Sequence, residues 1–423
     1  MLYDIGFLIF SIFYLPALIF KGRLHGDFHE RFGIYPEAKR ARLSAAKDVI
    51  WIQAVSVGEV ALCRGLIALL KKEFPGRDIV LSTITARGNE LAKKLFSNEA
   101  VIIYFPLDFS SVVRKVITLM RPKVYIMVET EIWPNVLKEL SRSAVPSILI
   151  NGRISDRSFR QYKLAKPLLA KTLGRIRLFC MQSDTDAARI KEMGAPAGRV
   201  RVTGTMKFDF DAAADDGAAR RMRESLGLTE GAELFVAGST HPGEEEAVVS
   251  AYSQLLGEFP KLTLLIAPRH VERAGEVEAV VKRSGLSLAR VSALDEPQAT
   301  SNKPRVFILD TIGHLNGAYA IATLVFIGGS LVPHGGQNPI EPASFEKPVI
   351  FGPHMSNFRA IAAALLDNAG AVQVKDVQEL IDKARALLKD REARLVLGRN
   401  ARRAIVENRG ATGRNLNALK EII

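Results

Sequence analysis

Apolar positions fall into one long run and then two alternating regions. From Leu2 to Phe20 the run is almost unbroken, nineteen residues with one charge at Asp4. About 20 apolar residues span a bilayer core as a helix, so residues 1–21 predict a membrane-anchor helix. No Lys or Arg precedes the run and no small-residue cleavage site follows it, which argues against a secretory leader. Lys21, Arg23 and Arg31 follow, and positive charge there places the rest on the cytoplasmic side. Pro16 and Asp4 leave a shallow, one-leaflet anchor open, and a buried core helix is the plainer alternative.

Beyond the run, short β-rich segments alternate with helical periodicity, the pattern of parallel α/β architecture. Strands are predicted at Val49–Val55, Asp78–Ile84, Val101–Phe105, Val124–Val128, Ser147–Ile150 and Leu178–Met181. Helical stretches such as Val60–Glu73 and Glu90–Phe96 separate them. The alternation resumes with Leu234–Ala237, Leu262–Ala267, Arg305–Ile308, Leu324–Ile327 and Pro348–Phe351. Between the two series, Asp209–Arg220 is small and polar, a linker near residue 210. This divides the chain into 1–21, a first Rossmann-like domain over 22–210 and a second over 211–423. The Ala-, Leu- and Arg-rich helices from about Glu379 close the second domain, with the last one a candidate to reach back to the first.

The length, 423 residues, agrees with two or three domains. Cys63 and Cys180 are too few for a disulfide framework or a cysteine zinc site. The charge is lopsided. Residues 1–210 carry 33 Lys and Arg against 19 Asp and Glu, and the remainder 25 against 26. The net +13 therefore belongs to the first half, which suits an anionic membrane, nucleic acid or a phosphorylated substrate. Nucleic acid fits poorly, because no reading motif is present and aromatics are only 7%, without basic–aromatic interleaving.

In parallel sheets, ligands bind beyond the carboxyl ends of the strands. After the first predicted strand stands Ser56-Val57-Gly58-Glu59, either an anion-receptive turn or a plain helix cap. After the second come Ser82, Thr83, Thr85, Arg87 and Gly88. After the fourth come Glu129-Thr130-Glu131-Ile132-Trp133-Pro134-Asn135. Two carboxylates there can orient a sugar hydroxyl or stabilise oxocarbenium charge, or one of them can cap the next helix. After the fifth, Asn151-Gly152-Arg153 continues to Arg157 and adds two cations. In the second half Pro268-Arg269-His270 puts a guanidinium where it can grip a phosphate. The densest motif is Gly328-Gly329-Ser330 followed by His334-Gly335-Gly336-Gln337-Asn338-Pro339-Ile340-Glu341. Its glycines permit close backbone approach, Asn338 with nearby N–H groups receives an anion, and Glu341 accepts hydroxyl protons. Before the first sheet, His29-Glu30-Arg31 offers either a general base beside the anchor or a solvated helix face.

Two facing domains of this kind make up the glycosyltransferase B architecture, shared by transferases, epimerases and phosphorylases. The motifs HERFGIY, QAVSVGE, ETEIWPN, NGRIS, GTMKFD, APRH, GGSLVPHGGQNPIEPA and GPHMSNF stand in that order nearly end to end. With them the chain resembles the 3-deoxy-D-manno-octulosonic acid (Kdo) transferases of Gram-negative bacteria; Gln53-Ala54 replaces the His-Ser of some members. The resemblance implies an inverting, metal-independent transferase without cofactor on the cytoplasmic side of the inner membrane. Its donor would be CMP-Kdo and its acceptor the lipid A precursor, lipid IVA. By motif, Glu30 becomes the base, and Glu129 or Glu131 with Lys207 stabilises the transition state. Pro268, Arg269, Ile312-Gly313-His314 and Asn338 to Glu341 hold CMP, with His270 and Gly336 beside them. Ser56, Gly58, Arg87 and Arg153 line the substrate rim of the first domain.

Overall fold

The computed structural model describes residues 3–4, 8, 26–164, 166–209, 216–229, 231–294 and 305–423. The expected anchor over 1–21 lies almost wholly outside the described residues, as do residues 210–215 of the linker. Among the described residues, no helix is long and apolar enough to cross a membrane. The chain forms two compact units, Met1–Asp209 with Gly410–Ile423, and Phe210–Arg409.

The first unit holds a seven-stranded sheet built from β1 (Ile50–Gln53), β2 (Ile79–Thr83), β3 (Ala100–Tyr104), β4 (Val124–Val128), β5 (Ser147–Gly152), β6 (Leu178–Met181) and β7 (Val200–Val202). Their order is β3-β2-β1-β4-β5-β6-β7, and every pairing is parallel. Both faces are covered by helices, so β1 to β6 are buried throughout, which is why they read as continuous apolar runs. Side chains alternate between two cores. Trp51, Tyr125 and Phe179 enter one, and Ile50, Ile52, Ile126 and Leu178 the other. Trp51 sits 4.6 Å from Tyr125 and 5.8 Å from Phe105, centroid to centroid, and its indole N–H donates to Ser82 Oγ at 2.8 Å.

The second unit repeats the plan with β8 (Glu233–Thr240), β9 (Leu262–Pro268), β10 (Leu288–Arg290), β11 (Val306–Ile308), β12 (Leu324–Ile327), β13 (Val349–Phe351) and β14 (Ala371–Gln373). The parallel order is β10-β11-β9-β8-β12-β13-β14. Close packing at the centre is visible at Gly238, where an added Cβ would stand 1.9 Å from Tyr319 Oη.

Every predicted strand is present, and three more are added. β7, β10 and β14 are three-residue strands at or beside sheet edges, half-exposed in large part, so they lack the apolar run that marks the others. The tail differs from the division at residue 210. The helix Ala411–Lys420 buries Ala411, Leu416, Ala418 and Leu419 in the core that holds Ile50 and Ile52 of the first unit. Its N-cap residue is Gly410, which has no side chain to cap with. Asp209 supplies the missing acceptor, taking the Thr412 N–H and hydroxyl, each at 2.6 Å, and the Gly410 N–H at 2.5 Å.

Candidate active site

The carboxyl ends of β1, β4 and β5 gather one cluster of charge in the first unit. Glu129 directly follows β4 with φ +61° and Asn151 lies in β5 with φ +52°, a left-handed conformation that ordinary residues adopt only when surroundings hold them. Asn151 Oδ1 accepts the Met206 N–H at 2.9 Å, which ties the 3-10 turn Met206–Asp209 to the strand end. Lys207 on that turn reaches Glu129 Oε1 at 3.9 Å. Arg153 acts on Lys207 as a like charge, and its backbone N–H donates to Thr130 Oγ1 at 3.1 Å.

Glu59 completes the cluster. Ser56 is the N-cap of the helix Val57–Glu73, and Glu59 three residues on occupies the capping-box position. Its Oε1 accepts the Ser56 hydroxyl at 2.9 Å and Oε2 the Val55 N–H at 2.6 Å. Burial pushes the Glu59 carboxyl up to about 7, with the charges of Glu129 and Glu131 adding to the rise. Burial likewise pushes Glu131 up to about 7, again helped by Glu129. Burial lowers the Lys207 ammonium, and Glu129 opposes that shift. Neither Glu129 nor Glu131 caps the helix Pro134–Arg142. Buried Asp108 does so, accepting the N–H groups of Asn135 at 3.1 Å and Val136 at 2.9 Å.

Glu30 stands apart. It lies on the 3-10 turn Phe28–Phe32, 1% exposed, ion-paired with Lys39, and accepts the Tyr104 N–H at 3.1 Å. Tyr104 belongs to β3, three strands from β4, or about 14 Å at ordinary strand spacing. Gly58 lies in the first turn after Ser56, and Arg87 is exposed in the first turn of the helix Ala86–Phe96.

In the second unit the rim is formed by the loops after β11, β9, β8 and β12. Pro268 ends β9 and is buried, while Arg269 and His270 project beyond it, exposed. His241, just past β8, stacks on His334 with centroids 4.4 Å apart and meets His270 edge-on at 6.4 Å. Its Nε2 lies 3.1 Å from Gln337 Nε2. Burial lowers His241 to about 4, and the neighbouring charges of His334, His270, Arg269 and Arg273 push the same way. Gly336 has φ +75°, and an added Cβ would meet Met355 Sδ at 2.3 Å, so the turn into Asn338 requires glycine. Asn338 Nδ2 donates to Glu341 Oε1 at 3.0 Å, and its Oδ1 accepts the Ile340 N–H at 3.1 Å; Pro339 is the N-cap residue there. Burial raises the Glu341 carboxyl, opposed by Asn338 and Arg269. Ile312, Gly313 and His314 are exposed, Ile312 at 85%, just before the helix Leu315–Ile321.

Glu59 and His241 are absent from the sequence-derived roles. Ser56-x-x-Glu59 carries the capping-box spacing, and Ser239-Thr240-His241 ends a strand with Ser239 at φ +56°. Among the described residues, no group of three or more His, Cys, Asp or Glu side chains is placed to hold a metal ion.

Residues 26–210 match the family model of 3-deoxy-D-manno-octulosonic-acid transferase. The chain is 33% identical to the 3-deoxy-D-manno-octulosonic acid transferase of Haemophilus influenzae, over 92% of this chain and 90% of that protein. This chain belongs to the Kdo transferase family. Its likeness to the Bordetella pertussis transferase is 31% over the same shares of the two chains. A glycosyltransferase from Rickettsia africae is similar in structure, with TM-score 0.63 at 12% identity, covering 89% of this Kdo transferase family member and 98% of that chain. At that identity the likeness shows the fold alone, two parallel α/β domains. Family membership makes the protein a glycosyltransferase.

Proposed function

We propose that this protein transfers Kdo from CMP-Kdo to lipid IVA with inversion at the anomeric carbon, releasing CMP, at the cytoplasmic face of the inner membrane. The observation that carries the mechanism is the Glu59 carboxyl, buried beside Glu129 and Glu131 and raised to about 7. A base near neutrality takes a hydroxyl proton most effectively at cellular pH. The acceptor hydroxyl loses its proton to Glu59, its oxygen attacks the anomeric carbon, and the bond to the CMP phosphate breaks. Lys207 and Arg153 offset the donor sugar's carboxylate, and Glu129 or Glu131 faces the oxocarbenium charge.

The base is assigned to Glu59 in preference to Glu30. Glu30 is ion-paired with Lys39 and bonded to the Tyr104 N–H on β3, away from Glu129 and Glu131 at the end of β4. Arg269, His270, Asn338 and Glu341, with the exposed Ile312–His314 loop, hold the nucleotide. One phosphate is within the reach of a guanidinium and N–H groups, so no metal is assigned a step. An anionic lipid acceptor accounts for the excess positive charge in residues 1–210. A cavity of about 640 Å³ in the first unit, lined by Ile34, Tyr35, Leu119, Arg40, Lys115 and Arg121, has the mixed apolar and cationic lining such a lipid needs. Residues 1–21 would hold the protein at the bilayer.

The test incubates purified protein with CMP-Kdo and lipid IVA under a chelator, and weighs the lipid by mass spectrometry. A gain of one or more Kdo masses supports the reading. No gain, with folded protein and intact donor, overturns this donor–acceptor pair.

A further inference from the structure

Glu244 begins the helix Glu244–Leu255, and its side chain is 0% exposed. Its Oε2 accepts the His241 N–H at 3.0 Å and the Gly329 N–H at 2.6 Å. Its Oε1 accepts the N–H groups of Ser330 and Leu331, each at 2.9 Å. Successive backbone N–H groups converging on one point form an anion-binding nest, a geometry that many proteins offer to phosphate. Here the protein's own carboxylate fills it. Three donors come from the loop after β12 and the fourth from the loop after β8, so a single charge clamps two separate loops.

Both loops carry donor-site groups. His241 follows β8 directly. The segment containing Gly336 and Gln337 hangs on the same turn as Gly329, because the Gly336 N–H donates to Gly329 O at 2.7 Å and the Gln337 N–H to Gly328 O at 3.0 Å. Displacing the loop after β12 would therefore displace Gly336, Gln337 and with them Asn338. We infer that Glu244 is a positioning residue for the nucleotide-sugar donor: its carboxylate sets His241 and the Gly336–Asn338 segment in place without touching the substrate. This rests on reading the second unit as the donor-binding one. It also means that the phosphate of the donor binds elsewhere on the rim, since the nest after β12 is already occupied.

The test compares wild type, Glu244→Gln and Glu244→Asp in the full-length protein, with folding checked by circular dichroism. Gln is the same size but presents one carbonyl oxygen and an NH₂ to four donors, so it leaves at least one of them facing a donor. Its donor KM should rise ten-fold or more with a smaller change in kcat, and Asp, which keeps the charge, should recover part of that loss. A Gln variant with donor KM within two-fold of wild type overturns the inference, and so does an Asp variant no better than Gln. If the Gln variant does not fold, amide hydrogen exchange on wild type decides. Protected Gly329, Ser330 and Leu331 amides support the clamp, and exchange at open-loop rates overturns it. Wild-type protein that is folded and protected at these amides, yet binds no CMP-sugar, would overturn the donor reading while leaving the clamp itself standing.

Discussion

Each unit places a titratable cluster at the carboxyl ends of its parallel strands, and the two clusters are tuned in opposite senses. In the first unit burial and like charge raise Glu59 and Glu131 to about 7, so carboxyls that would be charged throughout the neutral range take up protons there. In the second, burial and neighbouring cations lower His241 to about 4, so an imidazole that would be half charged near 6.5 stays neutral. The physics is shared: a buried site disfavours charge, and charges of the same sign nearby disfavour it further. The consequences differ. A carboxyl titrating near 7 can exchange protons with a substrate hydroxyl, whereas a neutral imidazole among cations can only orient, donate or accept a hydrogen bond.

The largest expected effect breaks the first cluster. Glu59→Gln should cut kcat by about 10²- to 10⁴-fold, the usual worth of a positioned base, while CMP-Kdo binding by calorimetry stays intact. Glu30→Gln should leave kcat within a few-fold and instead lower stability by about 1–3 kcal/mol, since Lys39 and the Tyr104 N–H lose a buried acceptor. Turnover lost in Glu30→Gln and kept in Glu59→Gln would reverse the assignment. In the second unit, Arg269→Ala should raise donor KM by about 10- to 100-fold, a charge-assisted hydrogen bond being worth roughly 1.5–3 kcal/mol. An unchanged donor KM would remove Arg269 from the nucleotide site.

The pH dependence sharpens the contrast. If Glu59 is the base, kcat/KM should climb as pH rises through about 7, and His241, already neutral above about 4, should contribute no step there. Stability runs in opposite directions for the two groups. Folded Glu59 binds its proton more tightly than the unfolded chain, so it favours the fold at low pH, and that contribution is lost between about 4.5 and 7. Folded His241 binds its proton less tightly, so its contribution is present above 6.5 and lost as pH falls toward 4. Thermal unfolding across this window should show the decline toward pH 7 flattened in Glu59→Gln. The smallest effect is at Lys207. Lys207→Met removes a cation beside Glu129 and should move the kinetic step at Glu59 upward by a fraction of a pH unit, and a downward move would contradict the cluster's electrostatics.

Much of the fold was legible because its signals are local. A parallel strand covered on both faces must be apolar at successive positions, and β1 to β6 show this plainly. The strand-end motifs at Glu129–Glu131 and Gly328–Ser330 were visible for a similar reason, since polar or small residues abruptly follow an apolar run. Short edge strands such as β7 bury too little to leave such a trace. The site was harder to read. Glu30 and Glu59 both stand in polar motifs near glycines, and spacing cannot say which carboxyl meets Glu129. The Ser56-x-x-Glu59 spacing reads locally as a capping box, although in the fold Ser56 makes no side-chain cap bond and Glu59 takes the Val55 N–H and the Ser56 hydroxyl instead.

Alternating patterns and turn residues are enough to establish two parallel α/β sheets, the basic first half and the family motifs, because each depends on neighbours within a few positions. Distant contacts decide the rest. Only packing puts Glu59 beside Glu129 and Glu131, binds Glu30 to Lys39 beside β3, and sends the last helix back to Asp209. A pKa, an ion pair or a cap belongs to the set of groups that meet in space, and those groups can stand about two hundred residues apart along the chain, as Asp209 and Thr412 do, or more, as Glu73 and Lys420 do.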